Sequence, residues 1–253
     1  MNGQFKYEGK GGELFSKLLK NVLLTMITLG IYYPWAMTDI RRYFCDKITL
    51  DGKKFAFTGK GGELFSLLLV QLLLSGITLF IYFPWAVSKI KKYMWNHTEL
   101  DGKAFDYNGK GGELFCKLLV NGLLSLITLG IFGAWAVVNL TKYGNENTTY
   151  DNTKFGFTGK GGELFSLLLG QILLSMITLG IYSPWASIKI SKYNYSKTTW
   201  GNSVFQYNAT GGKLFCLLLK GCLLSAITLC IYLPWFLTDL YKFTANASSV
   251  KAA

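Results

Sequence analysis

The apolar and polar positions of the chain repeat every fifty residues. Phe5, Phe55, Phe105, Phe155 and Phe205 share one register, and Trp35, Trp85, Trp135, Trp185 and Trp235 keep the same spacing without an insertion. Thr28, Thr78, Thr128, Thr178 and Thr228 each sit inside Ile-Thr-Leu. All four prolines (Pro34, Pro84, Pro184, Pro234) occupy one slot, which Ala134 fills in the third copy. Self-similarity at such a period marks stacked structural units. It defines a single repeat domain over 1–253, with copies at 5–54, 55–104, 105–154, 155–204 and 205–253.

Within a copy, Phe55 and Phe57 alternate with Lys54 and Ala56, and the pair recurs as Phe5/Tyr7, Phe105/Tyr107, Phe155/Phe157 and Phe205/Tyr207. This period of two predicts a strand with one buried face. Asp51-Gly52 and Asp101-Gly102, each preceded by a short β-prone run, predict type I′ hairpins. A Gly-rich turn then leads into a long apolar helix, from about Glu13 to Gly30 in the first copy. The second copy runs from Leu64 to Ala86 without a charge, which meets the length criterion for a bilayer helix. After the proline comes a basic stretch such as Ser88 to Tyr93, the pattern of an interfacial helix. The expected fold is a mainly α membrane protein of five tandem 50-residue repeats. Each repeat comprises a β-ribbon strand, Gly-rich turn, long apolar helix, Pro break and short basic amphipathic helix. At the ends of the chain, Met1 to Gln4 lack the first strand of a ribbon, and Thr244 to Ala253 read as a polar tail.

One crossing per copy would split Lys and Arg almost evenly between the two sides and abolish any positive-inside bias. The expectation is therefore a re-entrant or shallow helical hairpin entering from one side, with a double crossing second and a single crossing third. Hydrophobic residues make up 51% and charged residues 16%, and the mean hydropathy is +0.29. Disordered, collagen-like and coiled-coil classes are excluded. Against 14 Asp+Glu stand 26 Lys+Arg, for a net charge of +12, which suits anionic membrane lipids. Nucleic acid is not an expected partner, because the basic-aromatic run Arg41 to Phe44 directly follows a lipid-like helix.

The first residues show no secretory signal. Cys116, Cys216, Cys222 and Cys230 lie in apolar runs and read as small core residues. With no CxxC or Cys/His spacing, no metal site is expected. One histidine (His97), no nucleophile elbow and no repeated carboxylate pair leave no acid–base set. No catalytic residue and no cofactor are expected, and the chain reads as a non-enzyme.

The loop Gly9-Lys10-Gly11-Gly12-Glu13 recurs at Gly59, Gly109 and Gly159. It lacks GxxxxGK[ST] and the third glycine of GxGxxG. It reads as a structural strand-to-helix turn. The candidate lipid-headgroup contacts are Lys10, Lys60, Lys110, Lys160, Arg41, Arg42, Lys91 and Lys92. Helical spacing puts Lys17, Asn21, Thr25 and Thr28 on one face. The candidate polar stripe comprises Lys17, Asn21, Gln71, Lys117, Asn121 and Gln171, read as a packing seam between helices or, more sharply, as the lining of a path. Trp35, Trp85, Trp135, Trp185 and Trp235 are candidate membrane-interface aromatics. Asp39 shares its slot with Lys89, so pairing of Asp39 with Lys89 across neighbouring units is expected.

The unit Phe-x-Phe-Thr-Gly-Lys-Gly-Gly-Glu-Leu-Phe, with Thr-Leu-Gly-Ile-Tyr, Pro-Trp-Ala and Leu-Asp-Gly elements, resembles the YjgN-like family of bacterial membrane proteins of uncharacterised function. The resemblance touches every copy and is strongest over 49–105. It implies a location in the bacterial inner (cytoplasmic) membrane and supplies no activity or site residue. Two functional readings follow. One is a non-enzymatic, membrane-embedded repeat scaffold that self-assembles and shapes the membrane through hairpins inserted from one side, with other membrane subunits as further partners. The alternative is a channel or transporter whose path the polar stripe lines. A soluble binding module is a third class.

Overall fold

Asp51 and Gly52 both have positive φ (52° and 77°), the geometry of a type I′ turn. They close a hairpin that straddles the boundary between two sequence repeats. The structure, a computed structural model, describes residues 3–252; Met1, Asn2 and Ala253 lie outside it. The first repeat supplies β1 (Gly3–Tyr7), α1 (Gly11–Ile27), α2 (Tyr33–Asp46) and β2 (Ile48–Leu50). The second follows with β3 (Lys53–Phe57), α3 (Gly61–Ile77), α4 (Phe83–Asn96) and β4 (Thr98–Leu100). The third has β5 (Lys103–Tyr107), α5 (Gly111–Ile127), α6 (Gly133–Glu146) and β6 (Thr148–Tyr150). The fourth has β7 (Thr153–Phe157), α7 (Gly161–Ile177), α8 (Ser183–Lys197) and β8 (Thr198–Trp200), and the fifth β9 (Ser203–Tyr207), α9 (Gly211–Ile227), α10 (Leu233–Ala247) and β10 (Ser248–Ala252).

The ten strands form one closed antiparallel barrel in which each strand pairs with its chain neighbours and β1 pairs with β10. Phe5 stands opposite Leu50 and Phe55 opposite Leu100, while Gly3 and Gln4 meet Val250 and Ser249 across the closing seam. Inside, Phe5, Phe55, Phe105, Phe155 and Phe205 form a ring whose neighbouring centroids lie 6.2–6.5 Å apart. Leu50, Leu100, Tyr150, Trp200 and Val250 pack against that ring. Alternate residues such as Gln4, Lys6, Lys54 and Lys154 are exposed on the outer wall. The barrel is thus apolar within and polar without, the reverse of an outer-membrane barrel.

A mainly α membrane architecture is therefore overturned. Among the described residues no helix is long and apolar enough to cross a membrane. The uncharged run Leu64 to Ala86 is not one helix: Leu79 and Phe80 take positive φ (48° and 66°) and the chain reverses. Each outward helix keeps 17 residues, about 25 Å at 1.5 Å per residue, short of the roughly 30 Å hydrocarbon core. The returning helices have 14 or 15 residues, so the second helix is nearly as long as the first. The ribbon is two strands per repeat, and the supposed polar tail is the last turn of α10 followed by β10.

Repeats interlock through the returning helices, which pack on the next repeat's strand and outward helix. The Asn96 side-chain oxygen accepts the Tyr107 backbone N–H (3.0 Å), and Asn246 accepts that of Tyr7 (3.2 Å). The same joint therefore links adjacent repeats and closes the ring.

Candidate membrane interface

The turn between outward and returning helices carries the most exposed apolar side chains. Leu29, Leu79, Leu129, Leu179 and Leu229 are 93, 84, 94, 93 and 87% exposed. Ile27, Ile31 and their equivalents flank them, also exposed. No charge falls between Lys20 and Asp39, nor at the matching positions of the other copies. In water such a surface is costly.

The backbone of the turn is closed on itself. The N–H groups of Thr28, Leu29, Gly30 and Ile31 donate to the carbonyls of Leu24, Met26, Thr25 and Thr28 at 3.1, 3.1, 2.8 and 3.0 Å. Tyr32 donates to the Thr28 hydroxyl oxygen (3.0 Å), while that hydroxyl donates to the Leu24 carbonyl (2.7 Å). Tyr33 donates to Gly30, Pro34 has no N–H, and Trp35 and Ala36 both donate to Tyr32. The long bond from Gly30 to Thr25, with a left-handed residue after the helix, is a Schellman-type end. The threonine clasp recurs at Thr78, Thr128, Thr178 and Thr228. From Thr28 to Ala36 no backbone donor is left to seek water, which is what hydrocarbon demands of a chain. The fifty-residue register aligns these threonines but does not reveal the clasp, whose one sequence signal, Thr followed two residues later by Gly, is present in three of the five copies.

Between turn and barrel lies a band of charge. Lys10, Lys60, Lys110 and Lys160 directly precede the outward helices and have exposed side chains, and Lys60 and Lys110 lie 3.6 and 3.8 Å from Glu63 and Glu113. Lys91 and Lys92 are exposed. Arg41 and Arg42 are used within the protein. Arg41 donates to the Thr98 hydroxyl (3.1 Å) and lies over the Phe57 ring, and Arg42 donates to the Phe57 and Gly59 carbonyls (3.2 and 2.9 Å). Both tie repeat one to repeat two.

The polar stripe lies inside each hairpin, between its two helices. Asn21 is buried and donates to Asp39 (3.0 Å), which also pairs with Lys17 at 2.7 Å. The expected partner Lys89 instead sits over its own Tyr82 ring. Burial works against the Asp39 carboxylate, but hydrogen bonds from Lys17 and Asn21 outweigh it and hold its pKa below the usual range. Asn121 accepts from Asn139 at 3.0 Å, Lys117 lies over the Tyr143 ring, and Gln71 and Gln171 are buried. These residues form separate seams and do not converge on one another.

Trp35, Trp85, Trp135, Trp185 and Trp235 are half-buried between repeats, each against the glycine that opens the next outward helix. Tyr32 stacks on Trp35 at 6.0 Å and Phe65 tilts against it at 5.3 Å. The cysteines differ from a core role: Cys116, Cys216, Cys222 and Cys230 are exposed, and only Cys45 is half-buried. His97 approaches Glu63 at 3.7 Å, in the slot where Lys47 and Lys197 pair with Glu13 and Glu163 at 2.8 and 2.9 Å. Among the described residues no group of His, Cys, Asp and Glu could hold a metal ion.

Comparison with known proteins agrees with the repeat and with the resemblance. Residues 2–65, 53–116, 107–166 and 152–216 each match one family, described as "Bacterial protein of unknown function (DUF898)". A 55-residue stretch is 51% identical to the inner membrane protein YjgN of Salmonella typhimurium (strain LT2), covering 22% of this chain and 14% of that protein. The protein of the same name from Escherichia coli K12 is 42% identical over 52 residues, 21% of this chain and 13% of its own. The chain thus spans only a small part of the length of these curated relatives, whose names agree with the expected inner-membrane location. No solved structure matches. With matches running from residue 2 to 216, the chain belongs to the DUF898 family of bacterial proteins of unknown function.

Proposed function

We propose that this protein is a non-enzymatic ring scaffold that rests on one leaflet of the bacterial inner membrane, its five helical turns sunk into the lipid and its barrel in water. The observation that carries the reading is the five-fold set of exposed apolar turns in which every backbone donor, from the threonine to the residue before the Pro34 slot, is satisfied internally. Burying one leucine side chain contributes about 1.5–3 kcal/mol, so five copies of Leu29 alone give roughly 10 kcal/mol before ordering costs. The polar outer wall of the barrel and the exposed lysines between wall and turns fit water and anionic headgroups respectively. Five apolar wedges entering one leaflet would spread it and favour curvature. The separate seams inside the hairpins favour the packing reading of the polar stripe over a conducting path.

Flotation with phosphatidylglycerol-containing vesicles tests this. The protein should rise with the vesicles and leave a trapped dye in place. The double variant Leu29→Asp/Leu129→Asp should stay in the dense layer, since an aspartate deep in lipid costs about 2.5–3.5 kcal/mol. A wild-type protein that ignores vesicles, or a double variant that floats as well, would overturn the reading.

A further inference from the structure

Directly against the phenylalanine ring lies a cavity of about 450 Å³, within the size range of clefts that hold small ligands. Phe5, Phe55 and Phe205 bound it on the barrel side, and Cys45, Tyr195 and Ala245 bound it from the ends of the returning helices. Its polar residues offer little to a polar guest. The hydroxyls of Thr198, Thr244 and Ser248 already donate to the carbonyls of Asn194, Leu240 and Thr244. Those three hydrogens are spent, and apart from the phenols of Tyr195 and Tyr241 what remains toward the space is largely hydrocarbon.

The cavity exists because the repeats diverge at one slot. Cys45, Trp95, Asn145, Tyr195 and Ala245 are equivalent by the fifty-residue period. Trp95 packs on Phe105 with centroids 5.4 Å apart, and Tyr195 packs on Tyr207 at 5.0 Å. Asn145 donates to the Gly156 carbonyl at 3.4 Å. Copies one and five, neighbours across the closing seam, carry the small Cys45 and Ala245. A void between them is left where a large side chain would fit, on a backbone that otherwise repeats.

We infer that this cavity is a binding site for a single acyl chain, held against the phenylalanine ring between the first and fifth repeats. An apolar, elongated guest suits a lining of aromatic rings, a thiol and methyl groups whose threonine and serine donors are already used, whereas a sugar or nucleotide would lose most of its hydrogen bonds on entry. The chain can come from a free fatty acid or from a membrane lipid, and the site does not depend on the turns being in lipid.

Fluorescence titration of the full-length protein with cis-parinaric acid tests the inference. Saturable enhancement is expected, reversed by palmitate if the guest is a free acid and by micellar phosphatidylglycerol if it is a lipid chain. Ala245→Trp, which places in copy five the side chain that copy two already carries, should weaken binding by about tenfold or more. Ala245→Leu should weaken it less and guards against a misfolded tryptophan variant, with circular dichroism reporting the fold. No saturable enhancement in the wild type, no reversal by either competitor, or undiminished binding by both folded variants would overturn the site. Both variants should float with vesicles as the wild type does, so a failure of the membrane reading shows separately in flotation.

Discussion

Trp35 of the first repeat lies so close over Gly61 of the second that a Cβ added to the glycine would sit 2.8 Å from the tryptophan Cα and nearer still to its indole. Trp235 meets Gly11 in the same way across the closing seam. Gly61→Ala should therefore force the joint apart and cost about 1–3 kcal/mol, as overpacking does. Its neighbour Gly62 has nothing within 4 Å of such a Cβ, and Gly62→Ala should be neutral or stabilise by up to about 0.5 kcal/mol. Urea unfolding of the pair reads the difference. Gly11→Ala should match Gly61→Ala, because the seam is a joint like the others.

Thr128→Val keeps the shape of the clasp and removes the acceptor for the Phe132 N–H. In water that amide can bond solvent and the change should cost little. In lipid it stays unpaired, a penalty of about 1–3 kcal/mol. The variant should lose about tenfold in vesicle partitioning while its urea midpoint in lipid-free buffer hardly moves. Equal losses in both media would place the turn in water.

Phe80 and Cys230 hold φ values of 66° and 69° where Gly30, Gly130 and Gly180 stand in the other copies. A left-handed non-glycine residue costs about 1–2 kcal/mol. Phe80→Gly should raise the melting temperature in buffer and lower the affinity for vesicles, because the removed ring is exposed. The two measurements should move in opposite directions.

Stability should fall at both ends of the pH scale. Asp39 has a depressed pKa, so its contribution is complete above the ordinary carboxylate value and disappears as pH drops through the lower folded one. Glu13 and Glu163, held down by hydrogen bonds from Lys47 and Lys197, act in the same direction. Lys17→Leu should leave Asp39 half-buried with only Asn21 and cost about 0.5–1 kcal/mol after solvent screening, near neutral pH. At the alkaline end, burial pushes Tyr143 and Tyr207 up to about 12. Phenols with raised values bind protons more tightly when folded, so their contribution is complete below pH 10 and is lost between about 10 and 12. Melting curves across that range, compared with those of the Tyr143→Phe and Tyr207→Phe variants, check the sign: the variants should lose less stability between about pH 10 and 12.

The fifty-residue period, the hairpin at Asp51-Gly52 and the helix opening at Gly11-Gly12 were legible in the sequence because each depends on local chemistry. Asp151 and Asn152 make the same turn with φ of 49° and 58°, although the glycine is missing. The end of the long helix was harder to see. A residue exposed to lipid and one buried in a core look alike in composition, so Leu64 to Ala86 reads as continuous. Gly30, Gly130 and Gly180 mark the stop, but Phe80 and Cys230 mask it in the other copies. Five copies allow either a closed ring or an open arc, and the sequence does not decide closure. Closure depends on how much each joint rotates, which Trp35 and Gly61 set together, and no single repeat encodes the sum. The candidate site divided in the same way. Lys10 and its equivalents follow from the loop, whereas the partner of Asp39 depended on which of two nearby lysines the hairpin brings within reach.

The β-hairpin turns end the barrel opposite to its helices, and there Lys53 reaches Asp101 and Lys103 reaches Asp151. A single greasy foot would let such a body rock freely. Five feet spaced around a circle fix a plane, since leaning any way would lift one of them from the lipid. On a membrane the molecule would stand upright like a stool, with the salt-bridged rim held at constant height and facing the same direction.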